Sequence, residues 1–195
     1  MKRVLVIDDH EPSRARLSAI LRESDYEVVG EVTTGMGAVV FAHAKNPDVI
    51  LMAVGLPDID GIEAAEKVIH SKPLPIVLIT SHCDPETIGR AMDAGVMGYL
   101  VKPLRAEELR PAIELAISCF KECTSLREEN STLKEVLEAR KIIERAKGLL
   151  MERRKLSEEQ AYSLIKKASM NMRKPMADVA QAMLLAGGLL TDENK

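Results

Sequence analysis

Two adjacent carboxylates, Asp8 and Asp9, follow the apolar run Val4–Ile7, and two later apolar runs end on a hydroxyl, Thr80, and on an ammonium, Lys102, before Pro103. Paired carboxylates at a strand end suit a hard cation such as Mg2+, which takes oxygen ligands and keeps several waters. The pair alone fits equally well as the cap of a helix after Glu11. A hydroxyl and an ammonium converging on it make a site for a phosphoryl group and its metal. A second chemistry lies at the other end of the chain. Residues 139–195 carry twelve Lys/Arg against seven Asp/Glu, a balance of +5, whereas residues 1–138 carry fifteen against twenty-three, or −8, within a net charge of −3. A basic segment of this density can neutralise several nucleic-acid phosphates, although charge alone also describes a solvated helix face. Arg145/Lys147, Lys166/Lys167 and Arg173/Lys174 are the pairs expected to converge at helix junctions or on one helical face. Tyr162 is the one aromatic available there for stacking, which favours compact RNA hairpin loops over a long single-strand platform.

Elements that place these groups are legible in the hydrophobic pattern. Val4–Ile7, Glu27–Val32, Val49–Met52, Ile76–Thr80 and Gly98–Val101 read as short strands. Amphipathic stretches near Pro12–Glu23, Gly37–Lys45, Gly61–His70 and Pro85–Ala94 lie between them. Strands apolar on both faces and alternating with helices predict an α/β fold, a doubly wound five-stranded parallel sheet with its site at the carboxyl ends. From about residue 105 helix formers run to about 151, and Pro111 falls in the first turns. Ala116, Cys123, Asn130 and Leu137 share one heptad position, and Cys119, Leu126 and Leu133 the other, which predicts a parallel coiled-coil dimer over about 112–138. A single helix packed on its own domain would show a similar stripe. Ser157 followed by Gln160 is a capping-box start for a helix running to about Met170. Pro175 opens another helix that Gly187 and Gly188 should end, giving a three-helix all-α unit built on Leu149, Leu150, Ala161, Leu164, Ile165, Ala168, Val179, Ala180 and Met183. Gly148 fits either a close helix approach or a bend.

The 195 residues suffice for one full core plus a smaller unit; 46% are apolar, aromatics are 3% and Trp is absent, so the core must be aliphatic. Lys2, Arg3 and a short run ending in acid do not resemble a secretory leader, and no apolar run is long enough to span a bilayer. Cys83, Cys119 and Cys123 lack zinc-type spacing, so a cytoplasmic protein with reduced thiols is expected. The methionines read as gap fillers, and His82 and Cys83 as loop residues without chemistry.

Asp8-Asp9, the turn Pro57-Asp58-Ile59-Asp60-Gly61, Thr80, Gly98-Tyr99-Leu100 and Lys102-Pro103 together resemble the receiver domain of two-component response regulators over residues 1–118. The resemblance implies a flavodoxin-like fold, Mg2+ on the acidic pair, Thr80 and Lys102 on the phosphoryl group, Tyr99 as a switch aromatic, and a cis Lys-Pro bond. One position departs from it. The phospho-acceptor Asp, four residues before Pro57, is Ala53, which has no nucleophilic oxygen and cannot form an acyl phosphate. Its loss should also weaken the Mg2+ site. Ala53 is either natural, in a pseudo-receiver that signals by binding, or an engineered phospho-null. Residues 138–190 resemble the ANTAR domain, an RNA-binding module of transcription antiterminators, through Arg140–Met151 with its Ala-Lys-Gly-Leu-Leu-Met run, Ser157–Tyr162, Ala168-Ser169-Met170 with Arg173-Lys174, and Ala177–Ala180.

The two resemblances imply a non-enzymatic, dimeric antiterminator that binds leader-transcript hairpins, with a sensor histidine kinase as a further partner. Lys147, Arg173, Lys174, Lys166, Lys167 and Arg145 are the expected RNA contacts. Two rivals come from other classes. A DNA-binding response regulator would need a helix-turn-helix, in which Lys147-Gly148 has no place. A scaffold that binds a kinase or another receiver without nucleic acid leaves the basic tail unexplained.

Overall fold

The computed structural model describes residues 1–81 and 84–189; His82 and Cys83 lie outside the described residues. The elements are β1 (Lys2–Ile7), α1 (Glu11–Glu23), β2 (Tyr26–Val32), α2 (Gly35–Lys45), β3 (Val49–Ala53), α3 (Gly61–Ser71), β4 (Ile76–Thr80), α4 (Pro85–Asp93), β5 (Gly98–Val101), α5 (Ala106–Arg154), α6 (Glu158–Met172) and α7 (Met176–Leu189). The chain divides into two compact units, Met1–Thr124 and Ser125–Lys195. No described helix is long and apolar enough to cross a membrane.

In the first unit the strands are all parallel, in the order β2-β1-β3-β4-β5. Side chains of a strand alternate between faces, so a central strand covered on both sides must be apolar throughout. Leu5, Ile7, Ile50, Met52, Ile76 and Leu78 pack on one face, under α2 and α3. Val4, Val6, Val49, Leu51, Val77 and Ile79 pack on the other, with Leu17 and Leu21 of α1 and Leu109, Ile113 and Ala116 of α5. Edge strand β5 is only half covered and its residues alternate between part-buried and exposed. The order of strand addition reverses at β1, with β2 on one side and β3 on the other, and the crevice this creates lies at the strands' carboxyl ends.

The second unit has its own small core of Ala146, Leu150, Ala161, Ile165 and Ala180, flanked by Ile142, Ile143, Leu156, Leu164, Met176, Met183 and Leu184. Three expectations need correction. Ala116 is fully buried in the receiver-type core, so the first expected heptad belongs to the sheet and the exposed stripe starts at Cys123. Gly148 lies within continuous α5, and a Cβ there would meet nothing within 4 Å, so it does not mark a close helix approach. Helix α7 continues through Gly187 and Gly188 to Leu189; glycine lowers helix propensity but keeps its N–H donor.

Candidate functional site

At the carboxyl ends of β1, β3, β4 and β5 an open cleft of about 720 Å3 is lined by Asp9, Ala53, Thr80, Asp84, Thr87 and Lys102 among others. Asp8 is 1% exposed, because it closes β1 where Asp8 N–H donates to the Val32 carbonyl at 3.1 Å. Its Oδ1 accepts the His10 N–H at 3.0 Å, and its Oδ2 accepts Lys102 Nζ at 2.7 Å. The cap of α1 is therefore His10, whose Nδ1 accepts from Ser13 N–H, and neither aspartate takes that role. Lys102 is delivered by β5 and a cis bond to Pro103. Ala53 ends β3 at 4% exposure and adds only a methyl to the lining of the cleft. The next turn is held by Gly61: a Cβ there would come within 2.1 Å of the Ala53 carbonyl oxygen, so only glycine lets α3 start so close to β3. Asp58 accepts from Gly35 and Met36 N–H at 2.7 and 2.9 Å, and these bonds, the one from Met36 foremost, lower its pKa. Asp60 caps α3 and pairs with Arg90 of α4. Tyr99 is 44% exposed on β5.

In the second unit the basic residues separate into two groups. Lys147 is 6% exposed, and its Nζ donates to Glu144 Oε1 and Oε2 at 3.0 and 2.9 Å and to Glu158 Oε1 at 2.6 Å. Glu158 above all, then Glu144, raises the Lys147 pKa, and Lys147 lowers that of Glu158. This ammonium pins α5 to the first turn of α6. Arg173 and Lys174 follow the far end of α6, where Arg173 is the left-handed C-cap. Fifteen helical residues separate the two ends, about 22 Å at 1.5 Å per residue, so Lys147 does not converge with Arg173/Lys174. Arg145, Lys166, Lys167, Arg173 and Lys174 are exposed, and none has an ion-pair partner among the described residues. The glutamates around Lys147 were missed by sequence reading. Glu144 sits one turn back at i−3, a visible signal, whereas Glu158 meets it only because the helices pack.

Residues 4–114 match the response regulator receiver domain. The chain belongs to the response-regulator family. Residues 131–184 match the ANTAR domain. Over 183 residues the chain is 44% identical to the transcriptional regulatory protein PdtaR of Mycobacterium tuberculosis, covering 94% of this chain and 89% of that protein. Response regulator protein VraR of Staphylococcus saprophyticus is 40% identical over 113 residues, which cover 57% of this chain and 54% of VraR. Among solved structures, the signal receiver domain of a modulated diguanylate cyclase from Desulfovibrio desulfuricans G20 superposes with a TM-score of 0.59 at 36% identity, covering 62% of this chain and 97% of that one. A receiver domain of the putative response regulator NarL from Mycobacterium tuberculosis gives 0.55 at 30%, with 62% and 96% covered.

An ANTAR-type response regulator is thus a regulatory protein rather than a member of a known enzyme class, and receiver domains of this family generally bind Mg2+ at the acidic site. The residues present fit that ion poorly. Asp8 is bonded to Lys102, Ala53 brings no side-chain oxygen to the cleft, and Asp9 makes no side-chain ion pair among the described residues. Among the described residues no three His, Cys, Asp or Glu gather as a metal site.

Proposed function

We propose that this response regulator is a transcription antiterminator that binds hairpin RNA in leader transcripts and whose receiver signals without phosphorylation. The observation that carries the reading is the group of exposed, unpaired cations at Arg145, Lys166, Lys167, Arg173 and Lys174 in the ANTAR unit. Cations left unpaired on a folded surface are available to phosphates, and each phosphate neutralised adds about 0.7–0.9 to the salt slope. Lys147 serves this function by holding α5 to α6. A hairpin bound to the unit cannot refold into a terminator stem.

The chain works as a dimer along α5. Leu126, Leu133, Val136 and Leu137 are 58, 62, 62 and 52% exposed, and neither core cluster includes a residue between Ile117 and Ile142. A helix gains most of its stability by burying an apolar face, and a second copy of this stripe provides one, with Asn130 setting register. In the receiver, Ala53 leaves no acyl-phosphate acceptor and a weakened Mg2+ site, with Thr80 and Lys102 as remnants and Tyr99 at the switch position. A sensor histidine kinase would then act by docking.

Titrating hairpin RNA and duplex DNA with the full chain at several salt concentrations tests the reading. Hairpin RNA should bind more tightly and with a steep salt dependence. Tighter binding to duplex DNA overturns it in favour of a DNA-binding regulator, and binding to neither favours a scaffold.

A further inference from the structure

We infer that Cys119 and Cys123 of two paired copies make a four-thiolate site for one Zn2+ at the start of the α5 seam. The site exists only in the parallel dimer proposed above and rests on that reading. Both cysteines are free thiols, Cys123 exposed and Cys119 half-buried. They stand at i and i+4 of one continuous helix, about 6 Å apart along its axis at 1.5 Å per residue. Cys119 comes two residues after Ile117, which packs on the sheet, and one turn after Leu115, which is 63% exposed. Two residues turn a helix by about 200°, so Cys119 lies on the side away from Ile117. Its half-burial fits its place one turn past Ala116, at the border of the core. The two seam positions ahead of the first leucine layer, Leu126, are therefore both thiols.

Symmetry completes the set. A parallel pair held in register by Asn130 is two-fold symmetric, so each copy brings the same two residues to the same layers. One chain carries half of the ligands, and no three His, Cys, Asp or Glu gather within it among the described residues. Two ligands at i and i+4 on one helical face can reach a single zinc, as helical His pairs do. A Zn–S bond of about 2.3 Å asks for sulfurs about 3.8 Å apart, and staggered χ1 angles let thiols of layers about 6 Å apart converge to that spacing. Four thiolates in a tetrahedron suit Zn2+, whereas Mg2+ takes oxygen. The full shell leaves no open position, so the metal is structural. It binds thiolates, and the thiol protons leave to water. Because neither copy alone offers four ligands, the binding free energy of the metal goes into pairing.

The test uses the full chain, stripped with EDTA and kept in a phosphine reductant, with Zn2+ or Co2+ added. Native mass spectrometry should find one metal per two chains. Sedimentation should show self-association at least about tenfold tighter in Zn2+ than in EDTA. Co2+ should give the absorption of tetrahedral thiolate coordination, and Mg2+ should change nothing. Cys119→Ser and Cys123→Ser should each lose the zinc response in both measurements, whereas Cys83→Ser should keep it. A parent that pairs equally well in Zn2+ and in EDTA overturns the metal site and leaves the dimer standing. So does pairing strengthened only when the reductant is left out, which would mark a disulfide between the copies. A Cys119→Ser or Cys123→Ser chain that keeps the parent's metal stoichiometry also overturns the site. A parent that stays monomeric under every condition overturns both the site and the dimer.

Discussion

Two lysines singled out by the sequence as phosphate ligands are ion-paired in the folded chain, with opposite geometry. In the receiver cleft the acid is buried and the cation faces the opening: the Asp8 side chain is 2% exposed and that of Lys102 25%. At the α5–α6 junction the cation is buried and the acids face outward: the Lys147 side chain is 8% exposed, those of Glu144 and Glu158 55% and 70%. A buried charge that loses its partner is costly, so the buried member stays and the exposed member is the one able to exchange. Lys147 remains where it is and acts as a pin. On the function proposed above, the first site lacks an acceptor oxygen at Ala53, and RNA contact at the second falls to the exposed cations around the pin.

The largest effect that would sharpen this contrast is a gain of chemistry. Ala53→Asp should take up to one phosphoryl group per chain from acetyl phosphate in Mg2+, measured as acid-labile phosphate, where the parent takes none. Equal labelling of the parent would break the comparison at once. Next in size is the seam between the two regions. Charged residues at Leu126 and Leu133 should weaken self-association at least about tenfold by sedimentation, with the receiver still folded. An unchanged mass would place the contact elsewhere. Arg173→Ala with Lys174→Ala should lower the log–log salt slope of hairpin binding by about two, since each contact contributes about one. A slope equal to the parent's would show that these cations face solvent.

The smallest effect concerns the pin. Lys147→Ala should lower the melting temperature of the ANTAR unit and weaken all hairpins together, whereas a direct phosphate contact would change the salt slope and leave the melt alone. Its pH dependence has a definite sign. Glu158 is held below its ordinary value of 4.5 by Lys147, so its contribution is present above that value and is lost as pH falls through the lowered one. Lys147 is held above 10.5, so its contribution is lost only as pH rises past the raised value. Stability from the pair is flat around neutrality, and Glu158→Gln should remove the acid-side loss in a thermal melt followed between pH 3 and 7.

Much of this was legible in the chain. Two of the five strands, Ile76–Thr80 and Gly98–Val101, have the expected bounds and the other three differ by a residue or two at one end, because short apolar runs bounded by turn residues need no tertiary information. Asp8 and Lys102 were placed at one cleft because strand ends in a doubly wound sheet share one edge. The capping box at Ser157 and Gln160 is formed as read, since it is local. The heptad stripe was read one heptad too early, because Ala116 satisfies both a coiled-coil seam and a sheet-facing helix. Ser163 and Asn171 were not singled out, because one-dimensional spacing does not reveal that they line one groove with Leu156 and Leu164.

The sequence by itself determined the element types, their order, the doubly wound sheet, the absence of a side-chain oxygen at Ala53 and the segregation of charge, all of which depend on residue identity or on short-range periodicity. Only the tertiary structure decided which charges meet. Lys102 finds Asp8 across 94 residues of chain and Lys147 finds Glu158 across 11, and each pairing exists because packed apolar faces bring the backbones together. Burial then ranks the partners, since a charge removed from water holds its counter-ion far more firmly than one left in it. That is why two lysines of the same type ended in opposite settings, one facing the cleft opening above its buried acid and one buried beneath its exposed acids.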